Sequence, residues 1–95
     1  MQVDIIVCAD YVEDKLEAKH NVTCQEAREV LLNSPRIRFV EKGHTKGEDV
    51  YVAFGTTFSG RYLAVFFIYK PISKTAIIIS ARDMTVKERK SYGRK

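Results

Sequence analysis

Three apolar runs separated by two turns occupy residues 50–82, which read VYVAFGTTFSGRYLAVFFIYKPISKTAIIISAR. The runs are Val50 to Thr56, Arg61 to Tyr69 and Thr75 to Arg82. They are rich in the β-branched and aromatic residues that favour strands, and turn sequences separate them at Phe58-Ser59-Gly60 and at Pro71 to Lys74. Strands joined by such short connections pair antiparallel. The stretch therefore predicts an antiparallel meander, whose Ile-dense last strand we expect to be buried on both faces.

The residues before the meander predict a strand and two helices. Val3 to Cys8 is a short apolar run that indicates a buried strand. Asp10 followed by Glu13, and Thr23 followed by Glu26, both have the spacing of a capping box, in which side chains at the two positions satisfy free backbone N–H groups. Each pair therefore marks the beginning of a helix.

The ends of these helices and the remaining elements follow from local signals. Val12, Leu16 and His20 form one stripe of the first helix, which ends near Asn21, and Pro35 ends the second helix near Asn33. The remaining elements are a short strand over Ile37 to Val40 and a helix from Thr85 to Tyr92, capped by Thr85 with Glu88. Helices gathered on one face of an antiparallel sheet make an α+β domain. The 95 residues are few enough to form one such domain, spanning 1–95.

Charge is distributed unevenly along the chain. Residues 1–30 carry three basic and seven acidic side chains, residues 31–83 carry eight and four, and residues 84–95 carry five and one. The amino-terminal third is thus acidic and the rest is basic. A basic face attracts polyanions, nucleic acid above all, because binding releases counterions. The alternative is a solvated charge pattern with no partner.

Several classes of protein are disfavoured by the sequence. No run of about 18 apolar residues predicts a membrane helix, and no basic segment at the start predicts a signal peptide. Cys8 and Cys24 lack the spacing of a zinc site, so we expect reduced core thiols, no bound metal and a cytoplasmic location. No glycine-rich phosphate loop or nucleophile elbow is present, and no cofactor is indicated.

Groups able to act on RNA are predicted at the ends of the elements: Lys19, His20, His44, Arg61, Arg82 and Tyr92. Strand alternation places Ser80 on the same face as Arg82, in the strand next to the one that Arg61 begins. RNA cleavage without a metal needs proton transfer and cations that stabilise the phosphorane charge, and these residue types can supply both. Histidine is the residue type that most readily exchanges protons near neutral pH.

Each of these groups also has a purely structural interpretation. The alternatives are a packed helix end for His20, a solvated loop for His44, an ion pair for Arg82, a strand-edge position for Arg61 and a core anchor for Tyr92. Phe66, Phe67 and Tyr69 are expected in the core or at an interface, not as platforms for base stacking.

Three motifs together resemble the BrnT-like toxins. Lys19 to Thr23, followed by Glu26-Ala27, is similar to the family's KHGV-(S/T)-xxEA signature. Val52 to Thr56, followed by Gly60 to Val65, resembles the (V/I)AxGx…GRxLxV hairpin of the family. Ile79 to Arg82, with Glu88 and Tyr92 after it, resembles the closing ISAR…E…Y. The motifs occur in the family's order and cover roughly residues 11–92.

The resemblance implies a compact RelE-like α+β fold, with two N-terminal helices and a C-terminal helix packed on an antiparallel β-sheet. It implies the toxin of a type II toxin–antitoxin pair, a metal-independent endoribonuclease that inhibits translation and growth and is neutralised, in a hetero-oligomer, by a DNA-binding BrnA-like antitoxin. The positions that match are Lys19, His20, Glu26, Arg61, Ser80, Arg82, Glu88 and Tyr92. Expected catalytic residues are Lys19, His20, Arg61, Arg82 and Tyr92, and expected RNA contacts are Arg61, Ser80, Arg82, Lys87 and Arg89.

The chain also departs from the family pattern. The family usually has a Trp-Asp pair before its first helix, but this chain contains no Trp and has Asp10-Tyr11 near that place. Asn21 replaces the usual Gly after Lys-His, and asparagine also accepts left-handed backbone geometry. A descendant of such toxins that binds protein or RNA without cleaving it is therefore the alternative function.

Overall fold

A five-stranded sheet forms the centre of the fold within residues 1–93. These are the residues that the computed structural model describes, so Arg94 and Lys95 of the basic C-terminal segment lie outside it. In chain order the elements are β1 (Ile5–Val7), α1 (Asp10–His20), α2 (Cys24–Leu32), β2 (Arg36–Glu41), β3 (Val50–Thr56), β4 (Tyr62–Lys70), β5 (Thr75–Asp83) and α3 (Val86–Gly93). The strands lie side by side in the order β1-β5-β4-β3-β2. None of the helices in residues 1–93 has the length and apolar character needed to cross a membrane.

The strand pairing confirms the predicted meander and corrects two expectations about burial. β2, β3, β4 and β5 pair antiparallel in sequence order, whereas β1 pairs parallel with β5 and makes the sheet mixed. β1 is an exposed edge strand and not a buried one, since Ile5 and Val7 keep 51% and 41% of their surface. β5 alternates between buried and half-buried residues, so it is not buried on both faces.

The helices lie on both sides of the sheet. α1 and α2 cover one face, the helix face, where the core contains Leu16, Val30, Leu63, Val65, Phe67 and Ile78. α3 instead borders the opposite face, the open face, because Glu88 and Tyr92 contact Arg82 and Tyr62, which alternate with the core residues of β5 and β4. The α+β class is confirmed, but the helices are divided between the two faces.

A β-bulge in β5 decides which side chains reach the open face. Phe66 pairs with Ser80 whereas Phe67 pairs with Ile78, which leaves Ile79 as the extra residue. An extra residue reverses the alternation of the strand that follows it. Ser80 therefore faces the open side although Ile78 faces the helices. Residues after the bulge keep this reversed order.

Capping explains where the helices begin. Asp10 is not the N-cap that its spacing predicted, because α1 begins at Asp10 with Ala9 as the N-cap and no side-chain cap bond. Glu13 instead accepts a hydrogen bond of 2.8 Å from the Cys24 backbone N–H and so serves the N-terminus of α2. The capping box of Thr23 and Glu26 is present as predicted.

Local backbone geometry also explains where α1 ends and where α3 begins. Asn21 ends α1 in the left-handed conformation, with a φ of 53°, as the sequence predicted. At the other end of the chain, the Thr85 hydroxyl accepts from the Glu88 N–H while the Glu88 carboxylate accepts from the Thr85 N–H. The predicted capping box of the last helix is therefore confirmed.

Cys8 and Cys24 form a disulfide and are not the reduced thiols that the sequence predicted. The bond joins the residue that follows β1 to the first residue of α2, across a sequence separation of 16. The spacing of Cys8 and Cys24 in the sequence matches no local cysteine motif. The two residues meet only because α1, which lies between them, folds back along the chain. The disulfide fixes the N-terminus of α2 against the end of β1.

Candidate nucleic-acid interface

Arg61 ties three elements together on the helix side of the sheet. Its guanidinium group pairs with Asp83 through hydrogen bonds of 2.9 and 3.2 Å and with Glu26 at 3.2 Å. It also donates to the backbone carbonyls of His20, at 3.2 Å, and Asn21, at 2.7 Å. We call this set the Arg61 cluster. It links the end of α1 and the start of α2 to the end of β5.

The Arg61 cluster leaves Arg61 little capacity to bind anything else. The bonds above engage all of the N–H donors that a guanidinium group has. Hydrogen bonding to Asp83, and then to Glu26, raises the pKa of Arg61, and the same bond from Arg61 lowers the pKa of Asp83. Asp83 therefore remains charged and holds Arg61 in place. Its side chain is 26% exposed.

We expect Arg61→Ala to lower the free energy of unfolding by about 2 kcal/mol, because it removes charge-assisted hydrogen bonds that are only partly screened by water. For a domain of this size that corresponds to a fall in Tm of roughly 10 °C. Thermal unfolding followed by circular dichroism measures the change. Arg38→Ala, at an exposed position, is the matched control and should change stability by no more than about 0.5 kcal/mol. An unchanged Tm for Arg61→Ala would show that the cluster adds no stability.

Arg82 lies on the open face, with Glu88 of α3 beside it. Its guanidinium group donates to the two carboxylate oxygens of Glu88 at 2.7 and 3.0 Å and to the Asp83 carbonyl at 3.1 Å. It also lies 5.5 Å from the centre of the Phe66 ring, within the range of a cation–π contact. Within residues 1–93 the Nε–H and one Nη2–H of Arg82 have no hydrogen-bond partner, in contrast to Arg61.

Glu88 stays ionised over nearly the whole pH range. The pKa of Glu88 is lowered to about 2, mainly by hydrogen bonding from Arg82 and also by the bonds from Thr85, against the effect of burial. The same pairing raises the pKa of Arg82. Glu88 therefore joins Arg82 of β5 to the first turn of α3 and fixes the direction of the guanidinium group.

Arg89 and Tyr92 of α3 both pack against Tyr62 of β4. Arg89 lies over the Tyr62 ring at 4.2 Å from its centre, and the Tyr92 ring meets Tyr62 edge-on at 6.0 Å. Tyr92 is half-buried, as expected for an anchor of the helix, while Lys87 is exposed. Tyr92 thus combines the structural position that its alternative interpretation required with a place on the open face.

A groove of about 420 Å³, which we call the open-face groove, runs between β2 and α3. Val52 and Phe54 contribute apolar surface to it, and Arg36, Arg38 and Lys87 contribute positive charge. The arginines of β2 were missed by the sequence analysis. Their spacing of two residues along a strand was the available signal, since alternate residues share a face.

The predicted site residues form two groups and not one. Ser80, Arg82, Lys87, Arg89 and Tyr92 lie on the open face or on α3 beside it. Lys19 and His20 are exposed at the end of α1, on the side of the Arg61 cluster, where the charge of His20 contributes to lowering the pKa of Asp83. The separation arises because consecutive residues of β5, Arg82 and Asp83, face opposite ways. His44 lies exposed in the loop between β2 and β3.

A cleft of about 350 Å³ connects the two groups at the end of the sheet. It lies between Arg61 and Asp83 on one side and Tyr62 and Arg89 on the other. Within residues 1–93, no three His, Cys, Asp or Glu side chains are grouped as ligands for a metal ion.

Comparison with known proteins adds evidence on family and fold. A family model described as "Ribonuclease toxin, BrnT, of type II toxin-antitoxin system" matches residues 12–88. The crystal structure of the Brucella abortus ribonuclease toxin, BrnT, is similar, with a TM-score of 0.59 and 20% sequence identity, and the match covers 86% of this chain and 99% of that chain. At this identity the structural likeness shows the fold. No curated protein matches.

Proposed function

The chain belongs to the BrnT family of ribonuclease toxins of type II toxin–antitoxin systems, and from this premise we propose that it cuts RNA on its open face. The observation that supports this location is the difference between Arg61 and Arg82 in how many of their N–H donors are already bonded to protein groups. Arg82 has N–H donors available to a phosphate, whereas those of Arg61 are taken by protein groups. We therefore assign phosphate binding to Arg82 and positioning to Arg61.

The charge around Arg82 suits a polyanion. Near Arg82, the linings of the open-face groove and of the pocket between Tyr62 and α3 contain one carboxylate, that of Glu88, and the cations Arg36, Arg38, Lys87, Arg89 and Lys90. Phosphate contacts from such residues supply the sequence-independent part of RNA affinity. Ser80, on the same face as Arg82, offers a hydroxyl group to the same backbone. Phe66 and Tyr62 lie beneath the arginines and keep them extended over the sheet.

The proposed reaction is attack of the 2′-hydroxyl group on the adjacent phosphorus. The 2′-oxygen loses its proton and bonds to phosphorus, the bond from phosphorus to the 5′-oxygen breaks, and that oxygen takes up a proton. The products are a 2′,3′-cyclic phosphate and a 5′-hydroxyl end. Arg82 and Lys87 would stabilise the negative charge of the phosphorane, which is a role that preorganised cations can perform without a metal ion.

We assign proton transfer first to Tyr92, because it shares the open face with Arg82. A group that transfers a proton must first lie within reach of the reacting atoms, even where another group, such as His20, is the better base. His20 and Lys19 act only if the RNA also passes through the cleft at the end of the sheet.

If Tyr92 transfers the proton, Tyr92→Phe should lower kcat by about a hundredfold, whereas His20→Gln should lower it by less than about tenfold. The reverse order of effects would move the chemistry to the side of the Arg61 cluster.

The cellular role follows from the family. We propose that RNA cleavage inhibits translation and slows growth, and that a BrnA-like, DNA-binding antitoxin neutralises the chain by binding it. The alternative is a protein- or RNA-binding module without cleavage, which the absence of Trp favours if the family's Trp supports the active face.

The direct test incubates the purified chain with RNA in the presence of a metal chelator. The expected result is cleavage that leaves 2′,3′-cyclic phosphate ends, together with arrested growth when the chain is expressed alone. Intact RNA and normal growth, with a protein partner that copurifies with the chain, would support the non-catalytic module instead.

A further inference from the structure

The two edges of the sheet are not equally available for pairing. β1 is three residues long, and such short strands offer little for another chain to pair with. β2 has six residues, no other strand within residues 1–93 pairs with its outer edge, and its last four residues are exposed. Phe39 and Val40 keep 58% and 42% of their surface there. β2 is therefore the edge on which an added strand would fit.

The side chains of β2 differ between the two faces. Arg36 and Arg38 pair with Phe54 and Val52 and point to the open face, while Ile37 and Phe39 point to the helix face. Neither arginine forms an ion pair with a residue in the range 1–93, although Arg36 donates to the Ser91 carbonyl at 3.2 Å. A bulge between Phe39 and Glu41 limits regular pairing to Arg36–Phe39.

We propose that an extended segment of the antitoxin adds to β2 as an edge strand, with acidic and apolar residues alternating along it. Side chains on neighbouring strands meet on the same face. The acidic residues would therefore lie beside Arg36 and Arg38, and the apolar residues beside Ile37 and Phe39. The identity of the partner rests on the proposed toxin function, whereas the surface and its pattern rest on β2 alone.

Charge complementarity favours an acidic antitoxin segment, and not a second copy of the chain, as the strand that pairs with β2. Two copies joined through β2 would bring Arg36 and Arg38 next to the same arginines of the other copy, and like charges on facing strands destabilise a sheet. An acidic strand would also border the open-face groove, which Arg36, Arg38 and Lys87 line. It would compete there with RNA, and that gives the added strand an inhibitory effect.

The test uses a short synthetic peptide in which Glu and Val alternate, with the full chain as its receptor. We expect binding that weakens as salt rises and that slows hydrogen exchange of amides in Arg36–Phe39. A peptide of the same composition with all Glu before all Val should bind about tenfold less tightly. Arg38→Glu should cause a loss of similar size, whereas Ile5→Glu at the β1 edge, the matched control, should cause none.

Other results would overturn the proposal. They are equal binding of both peptides, slowed exchange in β1 in place of β2, dimerisation of the free chain through β2, and protection of β2 by an RNA oligonucleotide but not by the peptide. RNA cleavage by the peptide-free chain is measured in parallel. Cleavage without peptide binding contradicts this inference alone, and peptide binding without cleavage contradicts the proposed function alone.

Discussion

Arg82→Ala is expected to lower RNA cleavage by about 10²- to 10³-fold, which is the usual cost of removing one preorganised group that stabilises transition-state charge. The fold should survive, because Arg82 projects from the open face while the core lies beneath the helix face. Expressed alone, the variant should no longer arrest growth. Single-turnover cleavage of an RNA oligonucleotide measures the effect.

A second readout separates the loss of a phosphate contact from general damage. In the wild-type chain, the lowered pKa of Glu88 stabilises the fold above the ordinary carboxyl pKa of 4.5, and this contribution disappears as the pH falls through about 2. Without Arg82 that pKa should rise, so α3 should detach from β5 at a higher pH. Nuclear magnetic resonance of the Glu88 carboxyl group follows this titration.

Arg82→Lys provides the matched control. It keeps the charge but cannot reproduce the forked contact with Glu88, so we expect partial activity and an intermediate pKa of Glu88. Full activity in Arg82→Ala, with the shift in Glu88 observed, would exclude Arg82 as the phosphate-binding group and with it the open face as the site.

The position of Arg82 illustrates what the sequence could and could not predict. Strand alternation correctly placed Ser80 and Arg82 on one face. It could not say which face, because the bulge at Ile79 reverses the order set by Ile78 and has no signature in an Ile-rich run. Bulges depend on the register of two strands, and register is a property of the pair and not of one segment.

The contacts of Arg61 likewise could not be predicted from the sequence, because its partners lie far away along the chain. Its interpretation as a phosphate contact relied on its place at the start of a strand, whereas its partners Asp83, Glu26 and His20 lie 22, 35 and 41 residues away. The capping boxes at Thr23 and Thr85 were predicted correctly because all of their atoms come from four consecutive residues. Local geometry was thus accessible from the sequence, and the pairing of distant side chains was not.

The disulfide is a further long-range feature, and its loss is expected to lower the free energy of unfolding by about 3 kcal/mol. The bond between Cys8 and Cys24 closes a loop with a sequence separation of 16. Closing a loop of about that length lowers the conformational entropy of the unfolded chain, which stabilises the folded state by about this amount. For a domain of this size the corresponding fall in Tm is roughly 15 °C. Thermal unfolding with and without a reductant measures the difference, after mass spectrometry has confirmed that the untreated chain is oxidised.

The double variant Cys8→Ser/Cys24→Ser should melt like the reduced chain and should not respond to the reductant. An equal Tm for the oxidised and reduced wild-type chain would show that the bond adds no stability. Below the lower Tm, reduction should leave RNA cleavage largely unchanged, because the disulfide holds α2 on the helix face while Arg82 and Tyr92 lie on or beside the open face. Loss of cleavage on reduction of a still-folded chain would instead indicate that the chemistry occurs near the Arg61 cluster, since Glu26 lies in the first turn of the helix that Cys24 begins.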